Sequence, residues 1–439
     1  MTLRRIALFA REEIGWRLLR RSRVVRYGLA ALAFAWRRMM VRTTFIAITG
    51  SLGKTTTKEC LAAILAAGAR TVKTHHNRNG GAGLCLTILR VRPWHRYAVL
   101  EVAGAAPDMM RRAAWLVRPD VAIVLNVLRT HTTAFRDLEQ HAAEKSRLVE
   151  ALGSGGLAVL NGDEPRVAAM ASRARCQVRF FGTSPSLDLW ADRVDACWPQ
   201  RLTFQAHAGT IVQTVVTQLV GTHWLPAVLA SLTAARECGV SLSDAAAALP
   251  YVEPFPARLR PLRLPGGAIV LRDDYNASVD ALDAALRVME DARAARRVLV
   301  ITDFSDSGMN RKNRLRQLAA AAARAAEVVV FVGENAAYGR RRAIDGGVAP
   351  SNAHEFPTLG AAARFLEAEL RSDDLVLLKG RTTDHAARLF FAQLGPVGCW
   401  KVTCPKRMLC DSCWRLTTSI TDIGRARLAR PEPVPNLAR

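Results

Sequence analysis

The feature that most constrains this chain is a Gly-rich turn between an apolar run and a hydroxyl-rich segment, Phe45-Ile-Ala-Ile-Thr-Gly-Ser-Leu-Gly-Lys-Thr-Thr-Thr57. The β-branched apolar run predicts a buried strand, and the residues after the turn predict a helix over about 56–65. A strand that leads through such a turn into a helix is typical of a phosphate-binding loop, because helix N-termini attract anions. The chain is therefore expected to bind a nucleoside triphosphate.

Each polar position of this loop has a predicted role. Gly50 and Gly53 let backbone N–H groups close around polyphosphate oxygens, Lys54 places a cation on the β- and γ-phosphates, and Thr55 offers its hydroxyl to Mg²⁺. The two glycines are separated by two residues rather than the four of the general phosphate loop, so the loop is a short variant. The predicted nucleotide-binding set is Gly50, Ser51, Gly53, Lys54, Thr55 and Thr56.

Strand and helix signals alternate over most of the remaining chain. Apolar strands at 97–103, 121–126 and 157–160 are separated by helical segments, and short alternating strands between 178 and 219 indicate an added antiparallel piece. After a Pro-rich segment a second alternating unit begins. The pattern predicts an α/β protein with a central P-loop ATPase domain containing a mostly parallel sheet, and a C-terminal Rossmann-like α/β domain.

The predicted domain boundaries follow from this pattern. We expect a basic arm at 1–44, a central ATP-binding domain at 45–252, a C-terminal domain at 253–397 and a Cys-bearing tail at 398–439.

Basic residues dominate the first 44 residues, which hold eleven arginines but only Glu12 and Glu13 as acids. Apolar residues are interleaved with these arginines, which predicts a basic amphipathic helix. The apolar run at 27–36 is shorter than the roughly 20 residues that a membrane span needs, and no signal-peptide cleavage pattern follows it. We therefore expect a cytoplasmic protein. Either the arm rests on anionic lipid at the inner face of the membrane, or it packs one face against the body.

Over the whole chain, Lys and Arg outnumber Asp and Glu by 62 to 38, which favours an anionic partner. Nucleic acid is not expected to be that partner. No stripe of aromatic and basic residues occurs outside the arm, and no paired Cys and His residues have zinc-finger spacing.

Four of the nine cysteines crowd into the tail, whereas the other five are scattered singly. The tail cysteines are Cys399, Cys404, Cys410 and Cys413. Four thiolates within fifteen positions are enough to enclose a structural Zn²⁺ ion, although only the last pair has the favoured two-residue gap. A zinc site, reduced free thiols and a redox pair all remain open for this tail.

Candidate metal ligands lie at the carboxyl ends of two of the predicted strands. Glu101 lies near the end of the strand at 97–103, and His131 follows the strand that ends at Asn126. Open parallel sheets bind ligands at the carboxyl ends of their strands, and a carboxylate and an imidazole there can approach the Mg²⁺ of a bound triphosphate.

An ordered set of further motifs resembles the Mur ligases, the ATP-dependent amide-forming enzymes of peptidoglycan assembly. The short phosphate loop is the first of them. The others are Asn77-Arg-Asn-Gly-Gly-Ala-Gly83, Leu100-Glu-Val-Ala-Gly104, Arg118-Pro-Asp-Val-Ala-Ile-Val-Leu-Asn-Val127, Glu144-Lys145, Ala158-Val-Leu-Asn-Gly-Asp-Glu-Pro165, Pro256-Ala-Arg-Leu259, Asp273-Asp-Tyr-Asn-Ala277 and Leu378-Lys-Gly-Arg381. The resemblance covers residues 45–395 and is carried by the order of the motifs.

The resemblance implies roles for residues of the central domain. Lys54 would hold the β- and γ-phosphates, Thr55 and Glu101 would bind one Mg²⁺, and His131 would assist a second. Lys145 matches a position that in this family is often carbamylated, which converts a cation into a carboxylate-like metal ligand.

In the C-terminal domain the resemblance implies a further nucleotide-binding set. Arg258 would reach the phosphates of ATP, Asp273 would reach the ribose, and Asn276 belongs to the same segment.

The resemblance also implies a reaction and its partners. The γ-phosphoryl group of ATP would pass to a carboxylate, and an amine acceptor would then displace phosphate from the acyl phosphate. The family's peptidoglycan enzymes place a uridine-nucleotide domain before the loop, and 44 residues are too few for one. This favours a lipid-linked or polymeric carboxylate over a soluble nucleotide-linked one. The competing hypothesis is a nucleotide-binding protein that has lost ligation and serves as a partner subunit at a membrane or nucleic acid.

Overall fold

The computed structural model describes residues 22–76, 78–128, 134–302, 311–401, 404, 409–416 and 432–433. The chain divides into two compact units, each built on its own sheet. The first unit takes Met1–Val194, Phe204–Val216 and Trp224–Val252, and the second takes Asp195–Thr203, Thr217–His223 and Glu253–Arg439.

The sheet of the first unit has the strand order β2-β3-β1-β4-β5-β6-β7-β8-β9 among the described residues. These strands are β1 (Thr44–Thr49), β2 (Thr71–Lys73), β3 (Tyr97–Glu101), β4 (Val121–Val124), β5 (Leu157–Asn161), β6 (Gln177–Gly182), β7 (Leu189–Asp195), β8 (Thr203–Ala208) and β9 (Ile211–Val216). The strands from β2 to β6 pair in parallel, and β1, β3, β4 and β5 are buried along almost their whole length. Continuous apolar runs are the expected composition of such doubly covered parallel strands.

Helices cover this sheet. They are α1 (Arg23–Met39), α2 (Lys54–Gly68), α3 (Gly81–Arg90), α4 (Met109–Val117), α5 (Leu138–Glu150), α6 (Pro165–Ala168), α7 (Leu225–Glu237) and α8 (Leu242–Ala248). Helices α2 and α7 pack against each other, while α1 packs against α3 and α4. The α/β class predicted from the alternation of apolar runs is confirmed.

The antiparallel piece predicted from residue 178 onward is wrong for β6. This strand pairs in parallel with β5, with Leu157 opposite Gln177, and so continues the central sheet. Its first residue is exposed and the next three are half-buried. Alternating hydrophobicity reports which face of a strand is covered, and it carries no information on the direction of the neighbouring strand.

The second unit has the strand order β14-β13-β12-β15-β11-β10-β16 among the described residues. Its strands are β10 (Arg260–Arg263), β11 (Ile269–Asp273), β12 (Arg296–Thr302), β13 (Val328–Val332), β14 (Ala353–Phe356), β15 (Asp374–Lys379) and β16 (Glu432–Pro433). Its helices are α9 (Val279–Asp291), α10 (Arg311–Ala325), α11 (Ala336–Asp345), α12 (Leu359–Glu369) and α13 (Ala387–Ala392). Strands β11 to β15 pair in parallel, β10 runs antiparallel to β11, and two apolar clusters cover the sheet, which makes the unit Rossmann-like.

Helix α1 is fixed to the first unit by a buried arginine. The Arg37 guanidinium donates from Nε to the carbonyl of Val117 and from Nη2 to the carbonyl of Arg118, both at 2.7 Å. These carbonyls belong to the C-terminal end of α4, where no intrahelical donor is available. The guanidinium also lies 3.8 Å from the centroid of the Phe45 ring. Arg37 therefore caps one helix while it anchors another.

We expect Arg37→Leu to lower the free energy of unfolding by about 2–4 kcal/mol, because the change leaves buried carbonyl groups without a donor. Urea unfolding followed by circular dichroism measures the effect. Arg26→Leu is the matched control, since Arg26 is exposed on the same helix and should change stability by about 0.5 kcal/mol or less. Equal effects of the two substitutions would contradict the anchoring role.

Candidate active site

The phosphate loop connects β1 to α2 in a conformation that requires its glycines. Gly50 and Gly53 have φ values of +155° and +86°. A Cβ atom on Gly50 would lie 2.9 Å from the Cβ of Leu125, so a side chain there would collide with the end of the neighbouring strand. Gly53 directly precedes the first residue of α2. The loop backbone thus leads directly into the N-terminus of a 15-residue helix, a position that favours anion binding.

Asn126 holds the loop in this shape. Its Oδ1 accepts hydrogen bonds from the N–H groups of Ser51 and Leu52, both at 2.9 Å, and its carbonyl accepts a second contact from Ser51 N at 3.1 Å. The Ser51 hydroxyl accepts from Leu128 N at 2.9 Å. Asn126, at the end of the strand that precedes His131, therefore braces the loop.

Lys54 lies over the loop. Its Nζ donates to the carbonyls of Gly50 and Ser51, at 2.5 and 3.1 Å. Thr56 follows it in the first turn of α2 and is buried. A flexible ammonium group at the mouth of a Gly-rich loop and a helix N-terminus form a donor set that fits a polyphosphate.

Thr55 and Glu101 are brought together, as the predicted magnesium site requires. Thr55 Oγ1 donates to Glu101 Oε2 at 3.0 Å, and the side-chain amide of Asn79 donates to Glu101 Oε1 at 2.8 Å. The Glu101 N–H group in turn donates to Thr74 Oγ1 at 3.0 Å. A hydroxyl and a carboxylate next to the phosphate loop are hard oxygen ligands of the type that Mg²⁺ prefers. The residues present therefore fit this ion.

Lys145 lies buried in α5. Burial holds the pKa of its amine well below the ordinary lysine value, and the nearby charge of Lys54 lowers it further. Glu144 opposes this shift, but its carboxylate accepts hydrogen bonds from the N–H groups of Asp108 and Met110, at 3.1 and 2.7 Å. Burial and the charge of Lys54 thus both shift Lys145 toward the neutral amine, relative to a lysine in water.

His131, the fourth predicted residue of this catalytic set, lies outside the described residues. Its role in assisting a second metal ion stays a prediction.

The predicted residues of the second unit cluster around the end of β11. Lys379 Nζ donates to the Asp273 carboxylate and, at 2.8 Å, to the carbonyl of Asn276. Asp273 and Lys379 are directly opposite each other in the parallel pair β11–β15. The guanidinium of Arg258 lies 4.6 Å from the centroid of the Tyr275 ring. A cation, a carboxylate and an asparagine are thus placed at the carboxyl ends of neighbouring parallel strands, where such sheets bind ligands.

Two polar residues of these clusters were not assigned a role from the sequence. Asn79 and Lys379 each stand inside a motif that resembles the Mur ligases, but an isolated asparagine or lysine carries no signal of its own. Strand register reveals Lys379, since it places the residue opposite Asp273. The contact between Asn79 and Glu101 joins a loop to a strand end 22 residues away, which no local pattern encodes.

The four tail cysteines line one cavity together with His385 and Arg388. Cys410 Sγ lies 3.4 Å from His385 Nδ1, and burial raises the pKa of the Cys410 thiol to about 11. All nine cysteines of the chain are free, and within the described residues no three His, Cys, Asp or Glu side chains are grouped to hold a metal ion. The structure therefore does not support the predicted zinc site.

A carboxylate instead fastens this part of the tail to the sheet. Arg272, buried in β11, donates to Asp411 through Nη1 and Nη2 at 2.6 and 3.0 Å. The same guanidinium donates to Asp274 through Nε and Nη2 at 3.0 and 2.9 Å. Desolvation by burial lowers the pKa of Arg272, but the negative charges of Asp274 and Asp411 raise it by more. The pKa therefore lies above its ordinary value and the group stays charged.

Comparison with known proteins gives matches to two domain families. Residues 48–235 match the Mur ligase middle domain, and residues 257–382 match the glutamate ligase domain of Mur ligases. The UDP-N-acetylmuramoyl-tripeptide–D-alanyl-D-alanine ligase of Mycobacterium tuberculosis H37Rv is 31% identical over 374 residues, which cover 80% of this chain and 73% of the relative.

Solved structures show the same fold. A MurF crystal structure from Acinetobacter baumannii aligns with a TM-score of 0.76 at 26% identity, covering 83% of this chain and 79% of that one. The MurF ligase of Thermotoga maritima in complex with ADP aligns with a TM-score of 0.72 at 23% identity, covering 83% of this chain and 82% of that one, and this likeness shows the fold alone.

The two domain matches lie on the two units whose strand ends carry the phosphate loop and Asp273. With the 31% identity to a relative of which the chain covers 73%, they show that this chain belongs to the Mur ligase family of ATP-dependent amide ligases.

Proposed function

We propose that this Mur ligase joins the carboxylate of a peptidoglycan precursor to an amine through an acyl phosphate. The observation that carries the proposal is the phosphate loop with Lys54 over it and the hydrogen-bonded pair of Thr55 and Glu101 beside it. The relatives suggest the first substrates to test, a UDP-N-acetylmuramoyl-tripeptide as carboxylate donor and D-alanyl-D-alanine as amine acceptor. They favour an active ligase over a decayed nucleotide-binding subunit.

The chemistry explains why charged residues surround the loop. A carboxylate is a poor electrophile, so its oxygen first attacks the γ-phosphorus of ATP while the bond from that phosphorus to the ADP oxygen breaks. The amine then attacks the acyl carbon, phosphate leaves and the amine loses a proton. In both steps negative charge moves between crowded oxygens, and catalysis depends mainly on stabilising that charge. Lys54 and the N-terminus of α2 are the groups of this chain placed to do so.

Thr55 and Glu101 are the residues that would hold Mg²⁺. When bound, this ion neutralises phosphate oxygens and orients them for transfer. The pair already shares a hydrogen bond at 3.0 Å, and Asn79 occupies the other Glu101 oxygen, so the carboxylate is oriented before any ligand arrives.

We propose that Lys145 is carbamylated, which the low pKa of its amine supports. Carbamylation joins a neutral amine nitrogen to the carbon of CO₂ and releases a proton, so it requires the form of lysine that burial and Lys54 favour here. The product is an anion, which the neighbouring Lys54 attracts instead of disfavouring as it does the ammonium form. The site gains a carboxylate-like metal ligand.

In the second unit, we propose that Arg258, Asp273 and Asn276 bind the phosphate and ribose of a nucleotide. Lys379 supports this assignment because it neutralises and orients Asp273. A free ribose hydroxyl donates to a carboxylate most effectively when that carboxylate is held by fixed partners.

We expect Lys54→Ala to reduce ADP release, in the presence of a competent donor and acceptor, by on the order of 10²–10³-fold. The change removes the cation over the loop and leaves the backbone cradle. Coupled ADP detection with pairs of cell-wall precursors and amines makes the measurement, with soluble nucleotide-linked and lipid-linked donors as separate arms. Lys73→Ala is the matched control, because Lys73 lies at the surface of the same unit and pairs with Glu59. Unchanged turnover in Lys54→Ala would refute the assignment.

We expect Lys145→Ala to lose activity and to regain part of it when acetate is added, since acetate supplies the missing carboxylate. A second readout does not depend on turnover. Wild-type protein equilibrated with ¹³C-bicarbonate should show a carbamate carbon signal by NMR that Lys145→Ala lacks. Absence of both the rescue and the signal would show that Lys145 acts as an unmodified amine.

A further inference from the structure

One face of α1 is turned away from the core and presents apolar side chains to solvent. The opposite face is sealed, with Ala33 and Arg37 buried, and Phe34 packs against the core at the edge of the exposed face. We use the term outer face of α1 for the exposed residues Val24, Tyr27, Leu32, Met39 and Val41, which are 80%, 74%, 58%, 64% and 82% exposed. Contiguous apolar surface of this kind is uncommon on proteins that stay free in water.

The outer face of α1 is continuous. The helix positions between its large side chains are Gly28, Ala31 and Ala35, and all three are exposed. They stand at three- and four-residue steps from Val24 and Met39, so they lie on the same stripe. Arg38, three positions after Ala35, is half-buried at the edge of this stripe, where its guanidinium lies over the Phe34 ring.

Cations and aromatic rings border this stripe. Arg23 is exposed at the start of α1, and Arg42 is exposed just beyond its end. Trp115 of α4, which is 58% exposed, stacks on Phe34 with ring centroids 4.2 Å apart and so lies beside α1. Residues 14–58 contain no acidic residue. The surface thus combines aliphatic side chains, arginines and an amphipathic aromatic side chain.

We propose that the outer face of α1 lies on the surface of an anionic lipid bilayer. Such a bilayer offers a matching environment to each kind of side chain on this surface. Aliphatic side chains enter the acyl boundary, arginines contact anionic headgroups and aromatic rings lie at the interface. None of the helices in the described part of the chain has the length and apolar character needed to cross a bilayer, so the contact is peripheral.

The same observations disfavour two other occupants. A two-fold interface with a second copy would place arginines of one copy against those of the other, because a symmetric interface uses the same surface twice. A nucleic acid would contact the arginines but leave Val24, Leu32 and Met39 in water, since phosphates and sugars are bound by polar groups. Helix α1 is held to the first unit through Arg37, so binding through it would place that unit at the membrane. This goes beyond the proposed ligation.

The test uses the full chain in co-sedimentation with vesicles. One vesicle contains phosphatidylcholine and phosphatidylglycerol in equal amounts, and the other contains phosphatidylcholine alone. We expect association with the anionic vesicles that weakens as salt is added. The double variant Leu32→Gln, Met39→Gln should lower the partition coefficient by about tenfold or more, because two aliphatic side chains leave the interface. The matched control is Ile211→Gln, Val212→Gln, which changes two exposed apolar residues on β9 and should bind as the wild type does.

Several outcomes would overturn the proposal. One is failure of the wild type to bind anionic vesicles, and another is equal binding by the two double variants. A third is an oligonucleotide that binds the wild type but not the Leu32 and Met39 variant, when that variant still binds vesicles. Light scattering that shows a dimer dissociated by the same variant, without vesicle association, would assign the surface to a second copy. Thermal unfolding of both variants checks the fold. ADP release with a soluble donor should be unchanged in both, which separates this proposal from the ligase assignment.

Discussion

The candidate site depends on the register of the parallel strands on either side of β1. Pairing with β3 sets Glu101 opposite Ile48, two residues before the phosphate loop, and so brings its carboxylate within 3.0 Å of Thr55 at the start of α2. Pairing with β4 sets Val124 opposite Thr49, which places Asn126 where its amide oxygen accepts from the loop. A shift by one residue on either side would turn these side chains to the other face of the sheet. The loop, its brace and its proposed metal ligand are therefore one consequence of sheet pairing.

Buried lysines are used in contrasting ways in this protein. Lys58 donates to the carbonyls of Thr74 and His76 and pairs with Glu59 at 2.9 Å, so its charge is compensated within the fold. Lys379 is compensated by Asp273. Lys145, in contrast, is buried near another cation, Lys54, and its charged form is disfavoured. Fixing a charge with partners serves structure, whereas lowering the pKa of an amine makes it available for chemistry.

Sequence reasoning reached the fold class and the phosphate loop because both are encoded locally, in apolar runs and in glycines with a lysine at fixed spacing. The resemblance to the Mur ligases grouped Thr55 with Glu101, and the two side chains share a hydrogen bond in the structure. Sequence reasoning missed the direction of β6, which depends on a neighbour rather than on its own alternation, and it gave no role to Asn79 or Lys379, whose partners lie 22 and 106 residues away. A helix at Arg23–Met39 lies within the predicted arm, whose residues 1–21 lie outside the described residues. Which apolar residues of α1 would face water depended on how Arg37 docks it, and sequence periodicity does not encode that contact.

The shared guanidinium of Arg272 has a consequence for the architecture of the second unit. Its N–H groups donate both to Asp274, just after β11, and to Asp411 in the tail. The short turn that contains Asp411 therefore packs beside the strand that ends in Asp273. The segment around Asp411 is consequently part of the packing of the second unit. Any shortening of the chain that removes Asp411 would take two hydrogen bonds from the buried Arg272 guanidinium, one residue from the proposed ribose ligand Asp273.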